Sequence, residues 1–155
     1  MIKNTFLLRN IFLCGVLAIL CSCTSAGSIQ SSEAHKIFIA GLNALNNKDF
    51  NLSMQIADQC IALHADDAKR LNHECVNMSK DSNVFAKCQT LNLVAQCLFI
   101  KFEAYHGRND HAGMDEVCIT LNAFYYNGYV WEPKSWPWKA AEGCKEILEK
   151  EKLKK

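Results

Sequence analysis

The sequence predicts an all-α domain of five to six helices, arranged in antiparallel hairpins or an irregular bundle and tied together by disulfides. Only two prolines, Pro133 and Pro137, interrupt the chain. After residue 32, apolar residues recur three and four positions apart, which is typical of amphipathic helices, and no alternating strand pattern competes with this spacing. Six cysteines are spread over the same region, which is enough for three disulfides.

Breaks in the apolar pattern divide this region into six predicted helices. Ser32 is suited to cap the first helix and Asp66 or Asp67 the third, because short polar side chains accept hydrogen bonds from free amides at a helix start. Pro137 fits the start of the last helix, where its missing amide hydrogen is not needed. The fourth helix carries the longest apolar pattern, so we expect it to be buried at the centre. The predicted ranges are 33–46, 50–64, 67–79, 84–106, 111–125 and 138–153.

The first 22 residues have the order of a secretory signal peptide. Lys3 and Arg9 are their only charges, an apolar stretch from Ile11 to Leu20 follows, and the small residue Ser22 stands at the exit. This stretch is shorter than the roughly 20 apolar residues that a membrane-spanning helix requires. A membrane anchor that stays uncut is the alternative. The segment therefore predicts export from the cytosol.

The exit of this segment, Leu20-Cys21-Ser22-Cys23, resembles the lipobox of bacterial lipoproteins. In that box an aliphatic, a tolerated and a small residue precede an obligatory cysteine. The resemblance implies that residues 1–22 are removed and that an acylated Cys23 anchors the chain in the lipid bilayer. It also implies a place in the bacterial cell envelope, at the outer membrane and facing the periplasm, since Thr24 and not an aspartate follows. Residues 23–32 are small and polar, which predicts a flexible tether before a single helical domain at 33–155.

The charge balance of the exported chain argues against nucleic acid as a partner. Removal of Lys3 and Arg9 leaves 15 basic against 16 acidic residues, and the remaining length suits a single domain. The sequence contains no basic stripe and no ribbon of interleaved aromatic and basic residues. The basic C-terminus at 150–155 is interpreted as a solvated helix end, whose cations suit the negative end of the helix dipole. Binding to lipid headgroups is the alternative for this tail.

Six cysteines remain once Cys14, Cys21 and Cys23 are set aside. An even number in an exported domain predicts disulfides, because the periplasm is oxidising. None of the spacings is the Cys-x-x-Cys of a redox or zinc site, so metal binding is the weaker alternative. The six are Cys60, Cys75, Cys88, Cys97, Cys118 and Cys144.

Antiparallel helices bring together residues whose numbers have a near-constant sum. This rule favours the nested pairs Cys60–Cys97 and Cys75–Cys88, and it leaves Cys118–Cys144 to bridge the proline-containing connection. One geometric feature argues against this nested pairing. If Cys88 and Cys97 both lie in one helix, they point to opposite sides of it, so two different neighbours would have to receive them.

The residues around 41–60 resemble a tetratricopeptide unit, which is a hairpin of two helices. Gly41, Ser53 and Cys60 are small residues where two such helices touch, and Phe50 follows the acidic turn residue Asp49.

A poorer copy of this unit, with Met114 and Leu121, surrounds the turn at 107–111. It begins about 60 residues later, whereas the units of a tandem array are roughly 34 residues apart. In that copy Phe102 stands where the family has a small residue. The resemblance implies helical hairpins over about half of the chain.

Aromatic residues are concentrated between positions 124 and 138, where all three tryptophans lie. Trp and Tyr dominate the energetics of protein interfaces, but the same rings can instead bury a large apolar area in a core. Both interpretations stay open at the level of sequence. The candidate partner-binding face consists of Tyr126, Tyr129, Trp131, Trp136 and Trp138.

The sequence offers no catalytic constellation and predicts neither a cofactor nor a metal. His106 and His111 flank a turn, with Asp115 and Glu116 one helical turn later, and a metal could use two imidazoles and a carboxylate. We prefer to interpret this segment as a polar interhelical turn in which Asp110 caps the next helix. The serines lie mainly in the tether and lack the Gly-x-Ser-x-Gly elbow of a hydrolase.

These features together predict a non-enzymatic envelope lipoprotein that binds another envelope protein. Its role would be that of a scaffold, an assembly factor or a pilotin-like escort. The alternative is a periplasmic inhibitor or immunity protein that blocks a toxic enzyme, because a small, helical, disulfide-closed exported domain suits that role equally well.

Overall fold

The computed structural model describes residues 28–76, 87–130 and 137–153. This part of the chain forms five helices and one pair of two-residue strands, so the predicted all-α class is confirmed. None of these helices is long and apolar enough to cross a membrane. The helices are α1 (Ser28–Asn46), α2 (Phe50–Glu74), α3 (Gln89–Gly107), α4 (His111–Phe124) and α5 (Ala140–Lys152). The antiparallel strands are β1 (Tyr129–Val130) and β2 (Trp138–Lys139).

The helix α3 lies at the centre of the fold, as its apolar pattern predicts. It contacts α1, α2, α4, α5 and β1, and a helix that is covered on several sides needs apolar residues around most of its circumference. One hydrophobic cluster joins α3 to α4 and α5, and a second joins it to α1 and α2. Its buried residues are Leu91, Asn92, Val94, Ala95, Cys97, Leu98, Ile100, Phe102 and Ala104.

The turns between α1 and α2 and between α3 and α4 have the same backbone structure. Lys48 and Asn109 adopt left-handed φ angles of 61° and 57°. The next residues, Asp49 and Asp110, each donate an amide hydrogen bond of 2.9 Å to the carbonyl five residues earlier. This pattern is the Schellman motif, which satisfies carbonyl groups at a helix end.

The same two aspartates also begin the following helices. The carboxylate of Asp49 accepts the amide of Leu52 at 3.1 Å, and that of Asp110 accepts the amide of Gly113 at 3.0 Å. Each aspartate therefore ends one helix with its backbone and caps the next with its side chain. The predicted role of Asp110 as an N-cap is confirmed.

The two hairpins share their turns but differ in how their helices touch. In the first hairpin, the hydroxyl of the buried Ser53 donates to the carbonyl of Gly41 at 3.2 Å. The equivalent positions of the second hairpin, 61 residues later, carry Phe102 and Met114, both fully buried. Large apolar side chains thus replace a close polar contact.

Three disulfides tie the helices together: the two nested pairs that the antiparallel rule favours and the remaining pair, Cys118–Cys144. Their Cα–Cα distances are 6.5 Å for Cys60–Cys97, 6.2 Å for Cys75–Cys88 and 5.7 Å for Cys118–Cys144. The apparent conflict between Cys88 and Cys97 disappears because Cys75 lies just after α2 and Cys88 just before α3. Outside the regular helix, Cys88 is free to turn toward α2, so both bridges join the same two helices.

The structure corrects the predicted break in the middle of α2. A single helix runs from Phe50 to Glu74, and neither Asp66 nor Asp67 starts a new one. Residues 51–74 contain no glycine or proline, so nothing in the backbone ends the helix there. Asp67 lies instead on the exposed face, 3.6 Å from Arg70, which also pairs with Glu74 at 2.8 Å.

Two other predicted boundaries are also wrong. The helix α1 begins at Ser28, so residues 28–32 are helical and Ser32 is not a cap, while residues 23–27 lie outside the described part. No glycine or proline stands between 28 and 40 to stop the helix from extending. Trp138 and Lys139 form β2 and not the first turn of a helix, because they pair with β1. Pro137 therefore precedes a strand.

We expect the loss of the Cys60–Cys97 bridge to destabilise the domain more than the loss of Cys75–Cys88. The bridges close segments of 37 and 13 residues, and the longer closure removes more entropy from the unfolded chain, about 4 against about 3 kcal/mol. Urea unfolding of the paired Cys→Ala variants measures this difference. If Cys75→Ala/Cys88→Ala lowered the free energy of unfolding by as much as Cys60→Ala/Cys97→Ala or by more, the expectation would be wrong.

Candidate protein-binding surface

Hydrogen bonds from two helices hold the segment that follows α4 in place. The backbone amide of Asn127 donates to Oδ1 of Asn72 at 2.8 Å, and its side-chain amide donates to the Asn72 carbonyl at 2.9 Å. The amide of Tyr129 donates to Oδ1 of the buried Asn92 at 3.0 Å. These bonds join the segment to α2 and α3, so its aromatic side chains stand on a fixed backbone.

Glycine is required at position 128 because the chain lies directly on α3 there. A Cβ atom at this position would overlap the side chain of Ala95 and lie 3.1 Å from the carbonyl oxygen of Tyr125 and 3.3 Å from that of Leu91. Backbone carbonyls cannot move aside as a flexible side chain can. Gly128 thus permits the close approach that places Tyr129 against α3.

Two aromatic rings at this segment are exposed, and the Nζ atom of a lysine lies over each of them. Phe124 is 50% and Tyr126 38% exposed. The Nζ of Lys69 lies 5.2 Å from the centroid of the Phe124 ring, and the Nζ of Lys139 lies 4.0 Å from that of Tyr126. Both distances suit cation–π attraction. We call these four residues, together with the partly buried Tyr129, the aromatic surface.

The polar edge of the aromatic surface includes one carboxylate. The hydroxyl of Tyr126 donates to Oε1 of Glu142 at 3.3 Å. Burial raises the pKa of Tyr129, with further contributions from Glu142 and Tyr126, so its phenol is uncharged near neutral pH. In the described part of the chain, neither Lys69 nor Lys139 forms an ion pair with a carboxylate. The Nζ of Lys139 donates to Oδ1 of Asn127 at 3.3 Å, and both cations keep the capacity to pair with an acidic group of a partner.

The residues of the predicted partner face differ in their surroundings. Tyr126 is exposed, whereas Trp138 is partly buried, with its ring edge-to-face on Phe99 at a centroid distance of 4.8 Å and packed over Gly143. Trp138 therefore contributes to the core as well as to the surface. Trp131 and Trp136 lie outside the described residues.

Three members of the aromatic surface lie outside the partner face predicted from the sequence, namely Phe124, Lys69 and Lys139. Lys69 lies 55 positions before Phe124, and no local pattern connects them. The sequence places Lys139 in the predicted last helix, and nothing in that helix predicts a contact with Tyr126. Only the packing of α2 beside the end of α4, and the pairing of β1 with β2, brings these cations to the rings.

His106 takes part in a contact between helices and not in a pair with His111. Its Nε2 lies 3.5 Å from Oε1 of Glu151 on α5, and its Nδ1 lies 3.9 Å from Oε2 of Glu103 on α3. Glu103 is the main cause that raises the pKa of His106, and Glu151 adds to it, while partial burial acts in the opposite direction. Within the described ranges, no three His, Cys, Asp or Glu residues are grouped so that they could hold a metal ion.

The comparisons with known proteins assign no family to this chain. No protein-family model, no curated protein and no solved structure matches it. Cys23 and the rest of the lipobox lie outside the described residues, so acylation stays a prediction. The function of the chain is therefore inferred from its own residues and contacts.

We expect the His106 contact to stabilise the domain at low pH and to weaken as the pH rises. Because the pKa is raised in the folded state, the stabilisation is complete below the ordinary value of 6.5 and is lost as the pH rises through the folded-state pKa. The contact is partly exposed, so its contribution is about 0.5 kcal/mol. His106→Gln should therefore lower the free energy of unfolding more at pH 5.5 than at pH 8.5. Glu151→Gln, measured in parallel, should remove part of the same pH dependence; equal losses at both pH values for His106→Gln would contradict the assignment.

Proposed function

We propose that this chain is a cell-envelope lipoprotein whose helical domain binds another envelope protein and catalyses no reaction. In this proposal an acylated Cys23 anchors it in the outer membrane, and the domain faces the periplasm. The observation that carries the proposal is the aromatic surface, where lysine side chains lie over exposed aromatic rings on a hydrogen-bonded backbone segment. Its role would be to hold, assemble or escort the protein that it binds.

The state of the cysteines supports an exported location. Each of the six cysteines in the described ranges belongs to a disulfide, and all six are buried. Structural disulfides form and persist in oxidising compartments such as the periplasm, whereas cytosolic thiols are kept reduced. Their burial suits a stabilising role, since redox-active cysteines require access to a partner thiol.

The rigidity of the aromatic surface supports binding to a protein. Aromatic side chains bury a large area with few rotatable bonds, and a fixed backbone lowers the entropy lost on association. Tyr129 is held by Asn92, and Phe124 and Tyr126 adjoin the segment bonded to Asn72. Lys69 and Lys139 add cations that can pair with carboxylates. The complementary partner surface would be apolar with acidic groups at its edge.

We expect the double variant Phe124→Ser/Tyr126→Ser to lose its partner while keeping its fold. Removal of two central aromatic side chains from an interface typically costs 2 kcal/mol or more, so recovery of the partner should fall by about 30-fold or more. The measurement is co-purification from native envelopes, quantified by mass spectrometry. Ile119→Ser is the matched control, because Ile119 is 68% exposed on α4 and lies outside the aromatic surface.

An unchanged set of co-purified proteins for the double variant would contradict the assignment of this surface. A toxic enzyme as the lost partner would identify the chain as an inhibitor or immunity protein. An assembly component would identify it as a scaffold or escort. Circular dichroism of both variants checks that their helix content is unchanged.

We also expect Cys23→Ser to release the chain from membranes without unfolding the domain. The substitution removes the only acceptor for the predicted acyl group, and none of the three disulfides contains Cys23. Each buried acyl methylene contributes about 0.8 kcal/mol, so loss of the chains removes most of the membrane affinity. Fractionation with mass spectrometry of the intact protein is the measurement. Unchanged membrane association of a cleaved Cys23→Ser chain would refute acylation.

A further inference from the structure

We infer that the partner of the aromatic surface is an integral membrane protein, which this chain contacts at the bilayer boundary. The inference rests on the proposed function, since it requires an acylated Cys23 and a protein partner. It adds the location and the kind of that partner. Three observations lead to it: the length of chain before α1, the direction of α1, and the chemistry of the end of the domain that α1 approaches.

The chain between the predicted lipid anchor and the first helix is short. Cys23 and Ser28, the first residue of α1, are separated by five Cα–Cα steps. A fully extended chain spans at most about 3.3–3.6 Å per residue, so the two Cα atoms are no more than about 17 Å apart. An anchor at Cys23 therefore keeps the start of α1 close to the headgroups.

The start of α1 lies at the same end of the bundle as the aromatic surface. The helices α1 and α2 run antiparallel through a three-residue turn, and Gly41 packs beside Ile56. Ser28 lies thirteen residues before Gly41 on α1, and Lys69 lies thirteen residues after Ile56 on α2. Thirteen residues correspond to a rise of about 20 Å along a helix, and because the helices are antiparallel both rises have the same direction. Ser28 and Lys69 are thus at similar heights in the bundle. Lys69 lies over Phe124 of the aromatic surface.

The composition of this end suits a position beside lipid headgroups. Aromatic rings with a polar group are favoured at membrane–water interfaces, where lysine can direct its charge toward the headgroups. Tyr126 and Tyr129 are such residues, and Lys69 and Lys139 are the neighbouring cations. The opposite end of the bundle carries the turns at Asp49 and Asp110, where Arg108 bonds Asn51 at 3.0 Å. That end points away from the anchor.

The short reach of the anchor restricts the kind of protein that can contact the aromatic surface. Beside the start of α1, the gap between this end of the domain and the lipid headgroups is at most about 17 Å, by the same chain-length limit. A globular domain of about 100 residues has a radius of gyration of about 13 Å, so its full width is roughly twice the gap. A partner that is itself inserted in the bilayer, and that exposes only a loop or a rim, fits this space.

The test places a photo-crosslinking residue at each end of the acylated full-length protein in intact cells. Tyr126→p-benzoylphenylalanine probes the aromatic surface, and Leu52→p-benzoylphenylalanine is the control, because Leu52 is 43% exposed near the opposite turn. After irradiation, the membranes are washed with alkaline carbonate, which releases peripheral proteins. We expect Tyr126 to form an adduct with a protein that resists this wash, and Leu52 to form no such adduct.

A spacer of about 20 Gly and Ser residues after Thr24 makes the test quantitative. The spacer lengthens the tether about fivefold. The local concentration of the aromatic surface at a bilayer-inserted partner should then fall by about tenfold, and the adduct yield should fall by the same factor. An adduct only with a protein that carbonate releases, unaffected by the spacer, would overturn the inference and leave the proposed function intact. Adducts only with phospholipid, or none with any protein at position 126, would overturn the proposed function as well.

Discussion

The packing of α2 against α3 positions the other elements of the described fold. Two disulfides fix this pair of helices, one at their adjoining ends and one fifteen residues further back along α2. Two points of attachment restrict both the separation and the relative rotation of the helices. Every other helix in the described part contacts α3, so its position defines theirs.

The functional surface follows from this arrangement because it is assembled on the same two helices. Asn72 at the end of α2 and Asn92 near the start of α3 hold the segment that carries Tyr126 and Tyr129. These two residues lie close to the Cys75–Cys88 bridge in sequence. The bridge therefore stabilises the fold and also the backbone that presents the aromatic rings, while Cys118–Cys144 holds α5 and its Glu142 beside them.

Much of the helical architecture was predictable because its signals are local. Asp49 and Asp110 each end a short polar run between two apolar helical segments, and such turn chemistry can be recognised within about six residues. The buried face of α3 was equally clear from its apolar spacing. The break predicted near Asp66 failed because a polar pair on an exposed face does not end a helix when the backbone is uninterrupted.

The helical class, the two polar turns with the cap at Asp110, and the even number of cysteines could be predicted from the chain alone, because each depends on residue types at short range or on their number. The packed fold was needed to show which cations lie over Phe124 and Tyr126, that His106 faces Glu151, and that Trp138 pairs in a strand. These contacts join positions between 8 and 55 residues apart. Their energies become available only after the helices have packed, so no local pattern in the chain specifies them.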